Sequence, residues 1–304
     1  MWSRLSGFLA RGRSFDELDY GIPVQQRSIA GYRLAVHEAG RGDPPLVLIH
    51  GLGSDLRVWS ENLAALSARH RVVAFDLLGF GRSDKPAGVH ALADHVACVR
   101  ELIDGLGGAA ILVGHSMGGQ IALRAALSYP ERVLGLVLAA PAGLERFDPT
   151  AKHWIRAVVD DGYTRYASPL QVAMRHAQTF HRPPPAAWAM LRDRLAVIDG
   201  PEFGAYCRAV TQSVAAMLAE PVFDELEGIS APTLVTFGRH DALIPNRVFH
   251  GRDTERLARH AVGRIRGARL EMIPDAGHMP QLEQPNRWNS LALDLAAAPS
   301  KPPR

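Results

Sequence analysis

Ala110-Ile111-Leu112-Val113-Gly114-His115-Ser116-Met117-Gly118-Gly119-Gln120 is the stretch that decides how this chain folds. Its first half is a short, nearly continuous apolar run, which suits a strand covered on both faces in a parallel sheet. Its second half leads into Gln120–Tyr129, whose pattern is helical. Between the two stands Gly-x-Ser-x-Gly. A chain that turns sharply from strand to helix holds the middle residue in strained backbone angles and pushes its side chain out of the sheet. Side chains two before and two after would collide, hence Gly114 and Gly118. The helix start places free N–H groups and a positive dipole end beside Ser116. Ser116 is therefore the candidate nucleophile.

Working outward, seven more runs read as strands: Val24–Ile29, Tyr32–Glu38, Pro45–His50, Arg71–Asp76, Val133–Ala140, Pro232–Gly238 and Arg269–Ile273. The first two flank Ala30-Gly31, a hairpin signal. Helical patterns lie between the others. Leu92, Val96, Val99, Leu102, Ile103 and Leu106 share one helical face, and Trp288–Leu295 also reads as a helix. Alternation of this kind predicts an α/β fold, an eight-stranded, mostly parallel sheet flanked by helices. It breaks once, over residues 142–230. A structureless loop of about 90 residues is implausible there. Four helical patterns, around Lys152–Asp161, Pro169–Phe180, Ala186–Val197 and Phe203–Leu218, predict a helical insertion over one sheet edge. The expected organisation is an N-terminal extension (1–20), a core (21–141 and 231–296), a helical cap (142–230) and a disordered tail (297–304). The terminal stretch Met1–Arg13 is expected to be loosely packed. In the cap, Trp154, Met174, Phe180, Trp188 and Met190 point to an apolar acyl or aromatic pocket.

A serine hydroxyl needs a base within reach and a group that orients the base. Loops at the C-terminal ends of parallel strands meet at one edge of the sheet. His278, in Asp275-Ala276-Gly277-His278-Met279-Pro280, follows the last strand and is the candidate base. Asp241, in Gly238-Arg239-His240-Asp241, follows the seventh and is the candidate acid, with Glu145 and Asp148 after the sixth as runners-up. The order Ser116, Asp241, His278 is the one expected of a nucleophile on such a turn. Two N–H donors are needed for the oxyanion. Met117 supplies one, and Leu52 in His50-Gly51-Leu52-Gly53-Ser54 supplies the other. His115 is expected to aim away from the hydroxyl, and His50 to brace its loop. The pairs His90 and His95, and His176 and His181, have i,i+5 spacing, which does not suit a metal pair on a helix. No ligand cluster or phosphate loop is legible, so neither a metal nor a nucleotide cofactor is implied.

These motifs together resemble the α/β-hydrolase family, in its serine branch with a helical cap. The likeness runs from about Val24 to Leu295. It rests on His50–Ser54 with Trp59, on Asp76-Leu77-Leu78-Gly79-Phe80-Gly81-Arg82-Ser83, on Gly114–Gly119, on Gly238–Asp241 and on Gly277–Glu283. The resemblance implies a loop-bracing role for Asp76. It also implies an enzyme cleaving a carboxylic ester, as carboxylesterases and lipases do. Relatives with Asp in place of Ser116, the epoxide hydrolases and haloalkane dehalogenases, are a poor fit. Hydrolases of meta-cleavage products usually carry Asn before the serine and Trp after the histidine, where this chain has His115 and Met279. Haloperoxidase-like members often have an aromatic before the serine. An acyltransferase and a non-catalytic ligand-binding protein are the remaining alternatives.

Composition narrows the classes further. The chain has 304 residues, 47% of them hydrophobic and 21% charged. That excludes an intrinsically disordered chain. The formal charge is +3, and the 34 basic residues are scattered, so a nucleic-acid partner is not expected. No run reaches the length of a membrane span. Cys98 and Cys207 are too few for a disulfide framework, and two free thiols fit a reducing cytoplasm. A small molecule is the expected partner.

Overall fold

The computed structural model describes residues 11–88 and 91–297. Expectations for residues 1–10, for His90 and for the tail beyond residue 297 lie outside the described residues. Eight strands form one sheet: β1 (Gln25–Ile29), β2 (Tyr32–Ala39), β3 (Leu46–Ile49), β4 (Val72–Phe75), β5 (Ala110–His115), β6 (Val133–Ala139), β7 (Thr233–Gly238) and β8 (Arg269–Ile273). Their order is β1-β2-β4-β3-β5-β6-β7-β8. β1 pairs with β2, and β2 with β4, antiparallel; every other pairing is parallel. The α/β-hydrolase arrangement read from the sequence is thus the observed one.

β3, β4, β5 and β7 are buried at every position, which is why they read as unbroken apolar runs rather than alternating ones. Helices cover both faces. α2 (Leu92–Asp104) packs on α3 (Met117–Ser128), and α1 (Ser60–Ser67) packs on α11 (Pro285–Ala297). On that second side Trp59 and Trp288 meet with ring centroids 5.8 Å apart, and Trp288 Nε1–H donates to Thr236 Oγ1 at 3.0 Å. α11 extends through Ala297, so that residue is ordered helix rather than the start of a tail.

Five helices lie between β6 and β7: α4 (Pro149–Val158), α5 (Asp161–Arg165), α6 (Pro169–Gln178), α7 (Pro185–Ala196) and α8 (Phe203–Ala219). α5 is additional to the four patterns read from the sequence; at five residues it is too short to show a period. α9 (Thr254–Val262) and α10 (Pro280–Glu283) complete the chain.

Residues 11–20 are held rather than loose. Gly12 and Arg13 N–H donate to Ile198 and Ala196 carbonyls, and Phe15, Leu18 and Tyr20 are buried. Among the described residues no helix is long and apolar enough to cross a membrane. Cys98 and Cys207 are buried.

Candidate active site

The β5–α3 turn places Ser116 at φ 52°, ψ −117°, a left-handed backbone that a residue with a Cβ adopts only under constraint. The neighbouring glycines show what imposes it. A Cβ on Gly118 would stand 2.2 Å from the Ile49 carbonyl oxygen, and one on Gly114 would stand 2.5 Å from the Gly118 oxygen. The helix start is wedged against the end of β3, and only glycine lets it approach so closely.

The loops after β7 and β8 bring Asp241 and His278 together. His278 Nδ1 lies 2.9 Å from Asp241 Oδ2, with both side chains buried. The other carboxylate oxygen of Asp241 accepts from Leu243 and Ile244 N–H at 2.8 and 3.0 Å. The acid is therefore fixed by its own loop and holds Nδ1–H of the imidazole, which leaves Nε2 available as an acceptor. The backbone of His278 is fixed at both ends. Its N–H donates to Thr179 O at 2.8 Å, and its carbonyl accepts from His115 Nε2 at 3.0 Å. His115 thus turns to the backbone of the histidine. Burial and the neighbouring His278 hold His115 well below the usual imidazole range. Its Nδ1 has no partner among the described residues.

The loop after β3 is braced by His50. Leu77 N–H donates to His50 Nε2 at 2.8 Å, so the ring proton sits on Nδ1, 2.8 Å from Gly51 O. Burial pushes this imidazole down to about 4, keeping it neutral. Across the trans Gly51–Leu52 peptide, carbonyl and N–H point opposite ways. With Gly51 O turned to His50, Leu52 N–H faces away from it, and it finds no acceptor among the described residues. Met117 is the first residue of α3, so its N–H has no partner inside the helix. Asp76, fully buried, accepts from Leu56 N–H at 2.8 Å, Arg82 N–H at 2.7 Å and the Tyr20 hydroxyl at 2.7 Å. That is a bracing role for the loops after β3 and β4.

Ser116, His278 and Leu52 line one cavity of about 930 Å³, roofed by the segment between β6 and β7. Of the five cap residues picked from the sequence, only Met190 lines it. Phe180 is buried elsewhere, while Trp154, Met174 and Trp188 are about half exposed. α4 and α6 instead contribute Ile155 and Val172 to the lining, and α8 contributes Tyr206 and Val210. Phe15 and Leu18 also reach the cavity. Of the runner-up acids, Asp148 caps α4 by accepting from Ala151 N–H at 2.8 Å. Glu145 sits at the cavity edge and accepts from Asn246 N–H at 2.6 Å. Burial and nearby Asp241 push it up to about 7.

Sequence reasoning missed Arg194 of α7. Its guanidinium donates to Gly53 O and lies 4.4 Å from the Tyr206 ring centre, and the Tyr206 hydroxyl donates to the same carbonyl at 3.2 Å. Among the described residues no carboxylate lies within ion-pair distance of it. Burial pulls it down to about 10. Nothing in one helical sequence distinguishes such an arginine from its solvated neighbour Arg192.

Residues 44–285 match the alpha/beta hydrolase fold family. The chain is 30% identical over 288 residues to a dihydrolipoyllysine-residue acetyltransferase component of the acetoin cleaving system of Cupriavidus necator, covering 90% of this chain and 69% of the relative. It is 30% identical over 292 residues to a 2-hydroxy-6-oxo-6-phenylhexa-2,4-dienoate hydrolase of Burkholderia cepacia, covering 91% of this chain and 95% of that protein. Among solved structures, a probable hydrolytic enzyme of Pseudomonas aeruginosa PAO1 superposes with a TM-score of 0.81 at 25% identity, over 94% of this chain and 98% of the other. The chain belongs to the α/β-hydrolase family and is a hydrolase of that fold.

Proposed function

We propose that this hydrolase cleaves carboxylic esters through an acyl-enzyme, with residues 142–230 as the cap that shapes its substrate pocket. The observation that carries the reading is the 2.9 Å contact of His278 Nδ1 with Asp241 Oδ2, beside a cavity that Ser116 also lines. In this mechanism Ser116 Oγ attacks the ester carbonyl as His278 Nε2 takes its proton. The tetrahedral oxyanion is stabilised by Leu52 and Met117 N–H, each such donor contributing about 3 kcal/mol. Collapse breaks the C–O bond, and the imidazolium protonates the departing alcohol. Water, deprotonated by the same nitrogen, then releases the acid. Asp241 holds the tautomer and stabilises the imidazolium. Wild type is expected to hydrolyse a short-chain p-nitrophenyl ester and to be labelled by a fluorophosphonate, and Ser116→Ala to do neither. Equally slow hydrolysis by both proteins rejects the mechanism.

Arg194 favours a second reading. A cavity-lining guanidinium without a carboxylate partner suits a substrate that brings one. The Burkholderia relative is named for a dienoate substrate. Cleavage of a dienoic diketo acid at a C–C bond would use the same serine and histidine. Good ester turnover with none of the diketo acid excludes it.

A further inference from the structure

His181, His240 and Asp275 come from three distant parts of the chain and meet on the surface. Their ligand atoms all lie within 4.8 Å of one another. The two imidazoles stack, ring centres 3.8 Å apart and planes 11° from parallel. His181 belongs to the connection between α6 and α7. His240 immediately precedes Asp241, and Asp275 lies three residues before His278.

We propose that these three residues form a site for a divalent transition-metal ion, Zn²⁺ as its type, that ties the α6–α7 connection to the loops carrying Asp241 and His278. Two imidazoles and one carboxylate make a three-ligand set common for zinc, with water completing the tetrahedron. The backbones that carry them are already fixed. His181 N–H and Arg182 N–H both donate to Glu283 Oε2 at 2.8 Å, and Gly277 N–H donates to Glu283 Oε1 at 2.7 Å. His240 N–H donates to Ala276 O at 2.9 Å. Asp275 stands at φ 52°, and its carbonyl accepts from Gln284 Nε2 at 3.2 Å. Binding then asks only for side-chain rotation. The stacked rings turn so that one nitrogen of each faces the ion. Arg182, 3.7 Å from Asp275 and largely exposed, gives up a pair that contributes little. No bond is made or broken beyond coordination. The site is separate from the proposed ester chemistry, and its test does not depend on activity.

Full-length chain, stripped with chelator and free of any affinity-tag histidines, is titrated with ZnCl₂ by calorimetry. Expected is one saturable site per chain. A rise in Tm of several degrees should accompany it once free Zn²⁺ exceeds Kd a hundredfold. His181→Ala and His240→Ala should each abolish both signals, and so should Asp275→Asn, which keeps a residue tolerant of positive φ. Exposed His153 on α4 is the control, and His153→Ala should bind as wild type does. The absence of saturable submillimolar binding by wild type overturns the proposal. So does undiminished binding by either histidine variant, or equal loss in His153→Ala, which would mark scattered surface histidines instead.

Discussion

At the scale of single residues, the site depends on groups whose hydrogen bonds fix a proton. His50 is one. With Leu77 N–H on Nε2 and Gly51 O on Nδ1, the ring orients a peptide whose N–H is the proposed oxyanion donor. His50→Phe should keep the ring volume and free that peptide, lowering kcat about 10²-fold with KM little changed. Asp241→Asn keeps the geometry but reverses the donor at Nδ1, and kcat should fall about 10⁴-fold. Glu145 yields a pH dependence. Burial and the nearby Asp241 carboxylate raise its titration from the ordinary 4.5 to about 7, against the opposing effects of the Asn246 N–H bond and the His278 imidazole, and His250 Nε2 lies 3.9 Å away. A carboxyl raised in the fold takes up a proton on folding between those values. Its stabilisation is full below the lower value and lost as pH rises through the upper. Glu145→Gln cannot titrate and keeps the acceptor for Asn246. Urea melts should show the variant gaining on wild type from about pH 5 to about pH 8, by on the order of 2–3 kcal/mol. A constant gap between the two proteins rejects the assignment.

At the scale of elements, buried strands carried the clearest sequence signal, since an apolar run of four to seven residues has few other uses in a chain of this composition. Ser116 was legible because its turn requires glycines at fixed positions. Asp241 and His278 were legible because the ends of β7 and β8 share an edge with β5. The helical roof was not, at side-chain level. α4 and α6 are amphipathic, and periodicity shows that a face is apolar without saying which surface it covers. Trp154 consequently packs edge-on to Phe249, ring centres 5.5 Å apart, rather than facing the cavity. Arg194 and Tyr206 sit on neighbouring helices and meet only in three dimensions. Arg194→Met should lower kcat/KM for an ester bearing a free carboxylate by 10-fold to about 10²-fold, the range of a charged hydrogen bond. A matched neutral ester should lose much less, because Tyr206 still holds Gly53 O. Equal losses on both esters assign Arg194 to bracing that carbonyl alone.

At the scale of the whole molecule, the sheet and the roof are joined by residues remote in sequence, which local patterns could not announce. Residues 11–20 reach both. Phe15 packs on Tyr206 of α8 at 5.3 Å between ring centres, and Tyr20 binds Asp76 at the end of β4. Phe15→Ala should cost about 3 kcal/mol in a denaturant melt, a loss that an unattached extension would not show. The three ligands of the proposed metal site are likewise separated, and His181 looked idle because its i,i+5 neighbour His176 was the wrong companion.

The hydrogen bond from His278 N–H to Thr179 O joins the helical insertion to the candidate base. Thr179 lies at the end of α6, in the roof, and the histidine is held on its other side by His115. One backbone contact thus ties the candidate base to the helical segment between β6 and β7, and the other ties it to the strand that leads into Ser116. A change that shifts Thr179 is transmitted to the imidazole through the main chain, although among the described residues no side chain of α6 takes part in the ring's hydrogen bond to Asp241.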